Sequence, residues 1–513
     1  MQTNRKKGIV HLVGAGPGDP GLITVKGVKC IQKADVVVYD YLASPALLAH
    51  ANPEAEMIYV GKKGGNHTLP QEGINALIVE KANAGKIVAR LKGGDPFIFG
   101  RGGEEAEVLI AENIPFEIVP GVTAAIGASA YAGIPLTHRE YTSDVAFVTG
   151  HEDPTKPESS INWAALAKGI GTLVFFMGVK NLAHISEKLV ENGKPSDTPV
   201  AVIRWGTTTR QQTVTGTLES IVGDIRKAGI KAPAIIIVGG VVNLRKKMKW
   251  FENLPLLGQR IVVTRAREQA SDLVQKLTDL GAECIQCPTI QVVPPSSWAA
   301  VDDAISNLKQ YEWIIFTSVN GVEFFFRRLA AKGLDARALG HLKTAVIGPS
   351  TAERLLSKGL QSDIIPKSYR AESVVEAFAG TAVAEQKILL PRAKEARSVL
   401  PQELTRLGAE VDDISVYETR HVKESGETVN ALLDSKNINM VTFTSSSTVR
   451  NFHRLIPTDK FEAFMQGVTV ASIGPITSAT AAELGFSVDV EASSYTIPGL
   501  LQAIIESRTS NTE

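Results

Sequence analysis

Residues 13–27, VGAGPGDPGLITVKG, hold the first pattern with chemical meaning. Glycines at 14, 16 and 18 between an apolar run and a helical pattern suggest a dinucleotide fingerprint, whose backbone N–H groups cradle pyrophosphate at a helix start. That fingerprint needs a third glycine where Asp19 stands, and Pro17 removes one N–H from the loop. A carboxylate gained and a donor lost both disfavour an anionic ligand. A structural turn and a ligand without phosphate are favoured over a nucleotide phosphate, which stays open as the third reading.

The second half repeats another device: an apolar run, then hydroxyl residues where a helical pattern begins. Thr317, Ser318 and Asn320 do this once, and Thr444, Ser445 and Ser446 do it again. Gly348 with Ser350 and Thr351, and Gly474 with Thr477, form a second such pair. Capping accounts for any one of them, since Ser and Thr are preferred at helix starts. Four at the same ends of paired sheets point further, to N–H groups and hydroxyls converging on a multiply anionic ligand. Cys284 and Cys287 form a C-x-x-C, but no second pair or nearby histidine accompanies them, so core packing is expected there. No zinc-ligand spacing, P-loop or serine–histidine–acid set is found, and no metal is expected.

The elements that must position these residues follow an α/β pattern. GIVHLVG and DVVVYD read as strands, GLITVKGVKCIQKA as a helix, and IVARLKGGDPFIFGRGGEEAEVLI as strand, glycine-rich loop and helix. Near 243–258, NLRKKMKWFENLPLLG breaks the alternation with a cationic cluster and a turn. Residues 1–245 are therefore expected as one domain, 246–258 as a linker and 259–513 as a second domain. That second domain is internally duplicated: 263–283 matches 390–410, 316–329 matches 443–455, and 346–359 matches 472–485. One near-constant spacing implies two similar α/β units with a ligand cleft between them.

The chain has 513 residues, with 54 Lys+Arg against 54 Asp+Glu, so no global field favours nucleic acid or an anionic membrane. Its most apolar stretch, 232–242, falls far short of the roughly 20 residues of a membrane helix. With three cysteines and no export signal in its opening residues, the chain is expected in the cytoplasm.

VGAGPGDPGLITVKG, VVVYDYL, VGKKGGNHTLPQEGIN, RLKGGDPFIFGRGGEE and VPGVTAAIGASAYAGIPLTHR together resemble the tetrapyrrole methylases, most closely uroporphyrinogen-III C-methyltransferase. TSVNG, VIGPSTA, LLPRA and VYETR resemble uroporphyrinogen-III synthase. The resemblance implies a two-lobed methylase fold followed by a two-lobed synthase of paired flavodoxin-like sheets, with lobes at 259–293 plus 421–513 and at 294–420. It implies S-adenosylmethionine as methyl donor, a sulfonium without phosphate, which suits a loop holding Asp19 and Pro17. It places Pro17, Gly93, Gly94, Asp95, Ile98, Thr123, Ala124, Met177 and Gly206 around that donor.

Asp40 is implied as proton acceptor, with loop capping as its other reading, and Lys62 as proton donor, with carboxylate binding as the alternative. Lys63, Arg90, Arg101, His138 and Arg139 are candidate partners for substrate carboxylates. In the synthase half Tyr417 is implied as the acid, interface packing being its alternative. Thr317, Ser318, Asn320, Thr351, Arg392, Ser445, Ser446, Gly474 and Thr477 are candidate binding residues there. The expected activities are cyclisation of hydroxymethylbilane to uroporphyrinogen III and its double methylation to precorrin-2 for sirohaem or cobalamin. A homodimer through the methylase half is also implied. A rival reading makes the second half a tetrapyrrole sensor without catalysis.

Overall fold

The computed structural model describes residues 7–61, 69–151, 160–264, 267–287, 290–366, 371–378, 383–421 and 424–509. It divides into two units, Met1–Gln259 with Asp279–Glu283 and Arg260–Thr278 with Cys284–Glu513.

In the first unit, strands β1 (Ile9–Gly14), β2 (Val36–Tyr39), β3 (Glu56–Tyr59), β4 (Ile87–Lys92) and β5 (Phe116–Val119) form a parallel sheet ordered β3-β2-β4-β1-β5. Its strands are almost continuously apolar because both faces are covered. Alternation sorts the side chains: Val36, Val38 and Val88 pack with Ile78 and Leu109, while Val37, Ala89 and Leu91 pack with Ile31 and Leu47. A second sheet follows, from β6 (Val145–Thr149), β7 (Thr172–Phe176), β8 (Pro199–Arg204), β9 (Gln212–Thr217) and β10 (Ala234–Val238), ordered β6-β7-β10-β8-β9. It is mixed: β10 runs antiparallel to both β7 and β8.

Residues 246–258, read from sequence as a linker, are built into the first unit. Trp250 Nε1 donates to Ala130 O at 3.0 Å, and the rings of Trp250 and Phe251 pack on Tyr131. Arg245 pairs with Glu252, whose carboxylate also accepts from Gln211 and Thr213. The cationic cluster hid an aromatic anchor that a composition shift does not reveal.

The second unit carries the duplication in its topology. Strands β11 (Arg260–Val263), β12 (Glu283–Gln286), β18 (Met440–Phe443), β19 (Thr469–Ser472) and β20 (Val490–Glu491) lie in the order β12-β11-β18-β19-β20. Strands β13 (Ile290–Val293), β14 (Trp313–Phe316), β15 (Lys343–Val346), β16 (Lys387–Ala393) and β17 (Glu410–His421) lie as β13-β17-β16-β14-β15. Apart from β13 and β20 the two orders are equivalent. β13, expected at the end of the first lobe, instead pairs antiparallel with Glu418–His421 in the sheet of the second. The lobe boundary therefore precedes residue 290.

Candidate functional site

Three glycine-bearing loops meet at the carboxyl ends of β1 and β4. Gly16 and Gly94 exchange backbone hydrogen bonds, N to O at 3.2 and 2.7 Å. Gly121 lies against both loops: a Cβ there would sit 2.7 Å from Gly14 Cα and closer still to Gly94 O. The first glycine run is thus a backbone seam, and only residues without a Cβ allow it. Asp95 sews in the same place, with Oδ1 accepting from Phe97 N at 2.8 Å and Oδ2 from Gly121 N at 2.9 Å. Asp19, the residue in place of the third fingerprint glycine, accepts from Gly21 N at 2.7 Å and from the Tyr131 hydroxyl at 2.6 Å.

The other expected donor-side residues gather around this seam. Gly94 abuts Thr123 and Ala124, which begin the helix Ala124–Tyr131, and Pro17 lies over Gly127 of that helix. Gly206 packs on Ala128, and its carbonyl lies beside Gly18. Ile98 and Met177 each neighbour a ring, Phe99 and Phe176, and those rings lie 4.9 Å apart, which brings their two loops together. Ile98, Met177, Phe97, Phe99, Tyr41 and Leu42 are all exposed although large and apolar.

Backbone strain marks the same loops. Among the described residues eight non-glycines have positive φ, and five of them, Phe99, Arg101, Met177, Trp205 and Thr207, sit here. A residue such as Phe or Trp adopts that conformation only where its surroundings impose it, and such positions cluster at ligand clamps. Phe99, Trp205 and Thr207 were not singled out in the sequence. No local residue pattern marks them, because φ is set by the neighbouring loops. Thr207 Oγ1 accepts from Asp19 N at 3.0 Å, and Trp205 meets Tyr41 edge-on at 5.8 Å.

Beside the seam lies a run of charge. Val36, Val38 and Asp40 share one face of the sheet with Val88, Arg90 and Lys92, since side chains alternate. Asp40 Oδ2 accepts from Arg90 Nη2 at 3.3 Å, and its Oδ1 from Leu42 N at 3.1 Å. Leu42 in turn lies against Gly93. Arg90 and Lys92 both reach Glu105, which is 0 % exposed on the helix Gly102–Ala111. Lys92 and Glu105 were missed in the sequence, although the alternation through VARLK was signal enough. Arg90, expected on substrate carboxylates, is itself buried and spent on Asp40, Glu105 and Leu91 O.

The remaining candidates separate. Arg101 is exposed and pairs with Glu104 at 2.6 Å. His138 is half-buried, its Nδ1 accepting from Glu140 N at 3.2 Å, and Arg139 is exposed. Lys62 and Lys63 lie outside the described residues. His11, Cys30 and Glu117 bring three possible ligand atoms within 4.8 Å of one another. There Glu117 is held by His11 and the Lys26 ammonium, and burial pushes the Cys30 thiol up. Cys287 is buried core, its thiol pushed up to about 12 by desolvation.

In the second unit four helices begin at the carboxyl ends of β14, β15, β18 and β19. Ser318 caps Val319–Ala331 through Gly321 N at 3.0 Å, and Ser445 forms a capping box with Thr448. Gly348 and Gly474 precede Pro349–Leu356 and Pro475–Glu483, where Thr351 and Thr477 are buried. Thr317 and Asn320 are half-buried beside Ser318. Ser446 is committed to the fold, accepting from Thr480 Oγ1 at 2.8 Å and donating to Ile476 O at 3.2 Å. Arg392 is buried, with Asp413 on two of its nitrogens and Arg397 O on the third, so three of its five N–H donors are engaged within the fold. Tyr417 is 8 % exposed, and its hydroxyl lies 3.0 Å from Ser318 Oγ. Burial pushes that phenol up and the bond to Ser318 partly opposes the rise. Tyr495, not singled out earlier, lies exposed over Gly474.

Comparison with known proteins follows this division. The model for tetrapyrrole (corrin/porphyrin) methylases matches residues 10–222, and that for uroporphyrinogen-III synthase HemD matches residues 271–502. A porphyrin biosynthesis protein HemD of Ruminiclostridium josui is 39% identical over 499 residues, 97% of this chain and 98% of its own. The chain belongs to both families. It is a two-part enzyme of tetrapyrrole biosynthesis, methylase first and synthase second. Over the methylase half, a uroporphyrinogen-III C-methyltransferase of Priestia megaterium is 57% identical over 236 residues, covering 46% of this chain and 99% of its own. The uroporphyrin-III C-methyl transferase of Thermus thermophilus, solved with S-adenyl homocysteine, is 38% identical at a TM-score of 0.40, covering 46% of this chain and 100% of that one. No helix among the described residues is long and apolar enough to cross a membrane.

Proposed function

We propose that the synthase half closes hydroxymethylbilane to uroporphyrinogen III with inversion of the last ring. The methylase half then places methyl groups on C2 and C7, giving precorrin-2 for sirohaem or cobalamin. The observation that carries this reading is the glycine seam ringed by exposed apolar residues. It presents backbone and carboxylates rather than cations, which fits S-adenosylmethionine and would repel a pyrophosphate.

Bound there, that donor supplies a methyl group on a positive sulfur for in-line displacement. The seam fixes loop spacing, and Phe97, Ile98, Phe99 and Met177 cover apolar surface and exclude water. Asp40, half-buried at the end of β2 beside the seam, takes the proton that the macrocycle must lose, from a position other than the now fully substituted methylated carbon, to regain a neutral conjugated product. Lys62 is assigned the opposite transfer. Arg101, His138 and Arg139 hold substrate carboxylates; Arg90 is reassigned from that role to holding Asp40. A homodimer through this half completes the reading.

In the synthase half, the four helix starts and their N–H groups hold the carboxylates of the linear substrate. Tyr417, a phenol whose neutral form burial extends to higher pH, donates the proton that lets the hydroxyl leave as water. Ser318 orients the phenol. The test uses the full chain with freshly generated hydroxymethylbilane and no methyl donor. Uroporphyrinogen III as product supports the synthase; type I product alone replaces it with a sensor.

A further inference from the structure

Two cations and one carboxylate lie buried on the face of the first sheet that leads to Asp40, where apolar residues would pack at no electrostatic cost. Arg90 is 3 % exposed, Lys92 4 % and Glu105 0 %. Taking such groups out of water is expensive, and replacing a buried ion pair by apolar residues is often neutral or stabilising. Fold stability alone is a poor reason for the set. Its geometry offers another.

Glu105 Oε1 receives Lys92 Nζ at 2.7 Å, Gln71 Nε2 at 3.1 Å and Arg90 Nε at 3.3 Å. Its Oε2 is buried with no hydrogen-bond partner among the described residues. The guanidinium of Arg90 is thereby fixed on every side: Nε on Glu105, Nη1 on Leu91 O at 2.8 Å, Nη2 on Asp40. Asp40 then has each oxygen assigned, one to Arg90 and one to the backbone of Leu42. With Asp40 the set carries two positive and two negative groups.

We propose that Glu105 is the positioning residue of the methylase half: it locks Arg90 and balances Lys92, so that Asp40 is held at the edge of the seam with a fixed charge environment. This rests on the assignment of Asp40 as proton acceptor. Glu105 is enclosed and touches no substrate, so it acts only through Arg90 and Lys92. Among the described residues, the titratable groups facing Asp40 are Arg90 and Lys92 from β4 and Tyr59 from β3. Those facing Glu105 are Arg90, Lys92 and, from the start of its own helix, Arg101.

The test compares Glu105→Gln, Lys92→Met, the double variant and Asp40→Asn in the full chain. Uroporphyrinogen III and S-adenosylmethionine are the substrates, and kcat is followed against pH. Calorimetric binding of S-adenosylhomocysteine reports that the methylase unit is folded. Glu105→Gln leaves Asp40 facing two cations, which favours its ionised form. The acid limb of kcat therefore moves to lower pH and the weaker base costs at least tenfold in kcat, with donor affinity within twofold of the parent. Lys92→Met removes a cation and moves the limb the other way. The double variant returns the limb to within a few tenths of a unit of the parent.

Limbs that stay put, or that move the same way in both single variants, overturn the proposal, because a purely structural role predicts no opposed shift. Loss of folding in Glu105→Gln leaves the Lys92→Met shift to decide. If Asp40→Asn methylates like the parent, the proton-acceptor assignment fails and this proposal with it. If Asp40→Asn is inactive while both limbs stay put, only the positioning role fails.

Discussion

Asp40 sits one turn of alternation beyond Val36 and Val38, and that periodicity alone turns a loop carboxylate toward Arg90 rather than solvent. Asp40→Asn keeps the shape but can accept only one of the two hydrogen bonds, from Leu42 N or from Arg90, and cannot accept the proton. Methylation should fall by about 10²-fold or more, while calorimetry shows S-adenosylhomocysteine binding unchanged. An equal loss of binding would make Asp40 a pocket residue instead. Tyr417 follows the same logic in the other half. Its burial raises the phenol above the ordinary 10, so the protonated acid persists as pH rises through that value and synthase activity should not fall there. Tyr417→Phe should slow formation of the type III isomer by roughly 10²-fold, with type I product accumulating by spontaneous closure. Residue types could be read from the sequence, but not their engagements. Arg90 and Arg392 both looked like ligands for acids, yet each guanidinium is engaged by carboxylates of the fold that lie 15 to 50 and 21 positions away.

At the scale of elements, the seam of Gly14, Gly94 and Gly121 explains why three loops can converge without side chains between them. Gly121→Ala would drive a methyl into the backbone of both neighbours. It should cost about 1–3 kcal/mol and at least tenfold in donor affinity, measured by calorimetry, while synthase activity in the same chain is unchanged. On β17, Glu418 accepts from Ser296 N at 2.8 Å, and that bond, with the Lys394 ammonium, holds its carboxyl down at about 2 against the usual 4.5. Its stabilisation is therefore complete above 4.5 and drains away as pH falls toward 2. The urea midpoint of Glu418→Gln should lie below the parent at pH 6, and the gap should narrow below 4.5 and close only as the pH falls past about 2.

Strands, helix starts and the duplication were legible because they repeat a period or a spacing. The sheet membership of β13 and the packing of 246–258 were not. Each depends on a partner distant in sequence, Glu418–His421 for one and Tyr131 for the other.

For the whole molecule, two consecutive steps on one chain make a single experiment informative about both. The neutral charge balance, 54 against 54, supplies no global field for an acidic substrate, so the proposed reading assigns its recognition to local arrays of helix N-termini and a few cations. This was readable as a requirement in the sequence, while the strained loops that line the methylase site were not, since φ values are fixed only by the assembled fold. The most direct measurement incubates the full chain with hydroxymethylbilane and methyl-labelled S-adenosylmethionine, then determines product mass and isomer. A type III macrocycle carrying two labelled methyl groups is predicted. Unlabelled type I uroporphyrinogen as the sole product would contradict the account in both halves at once.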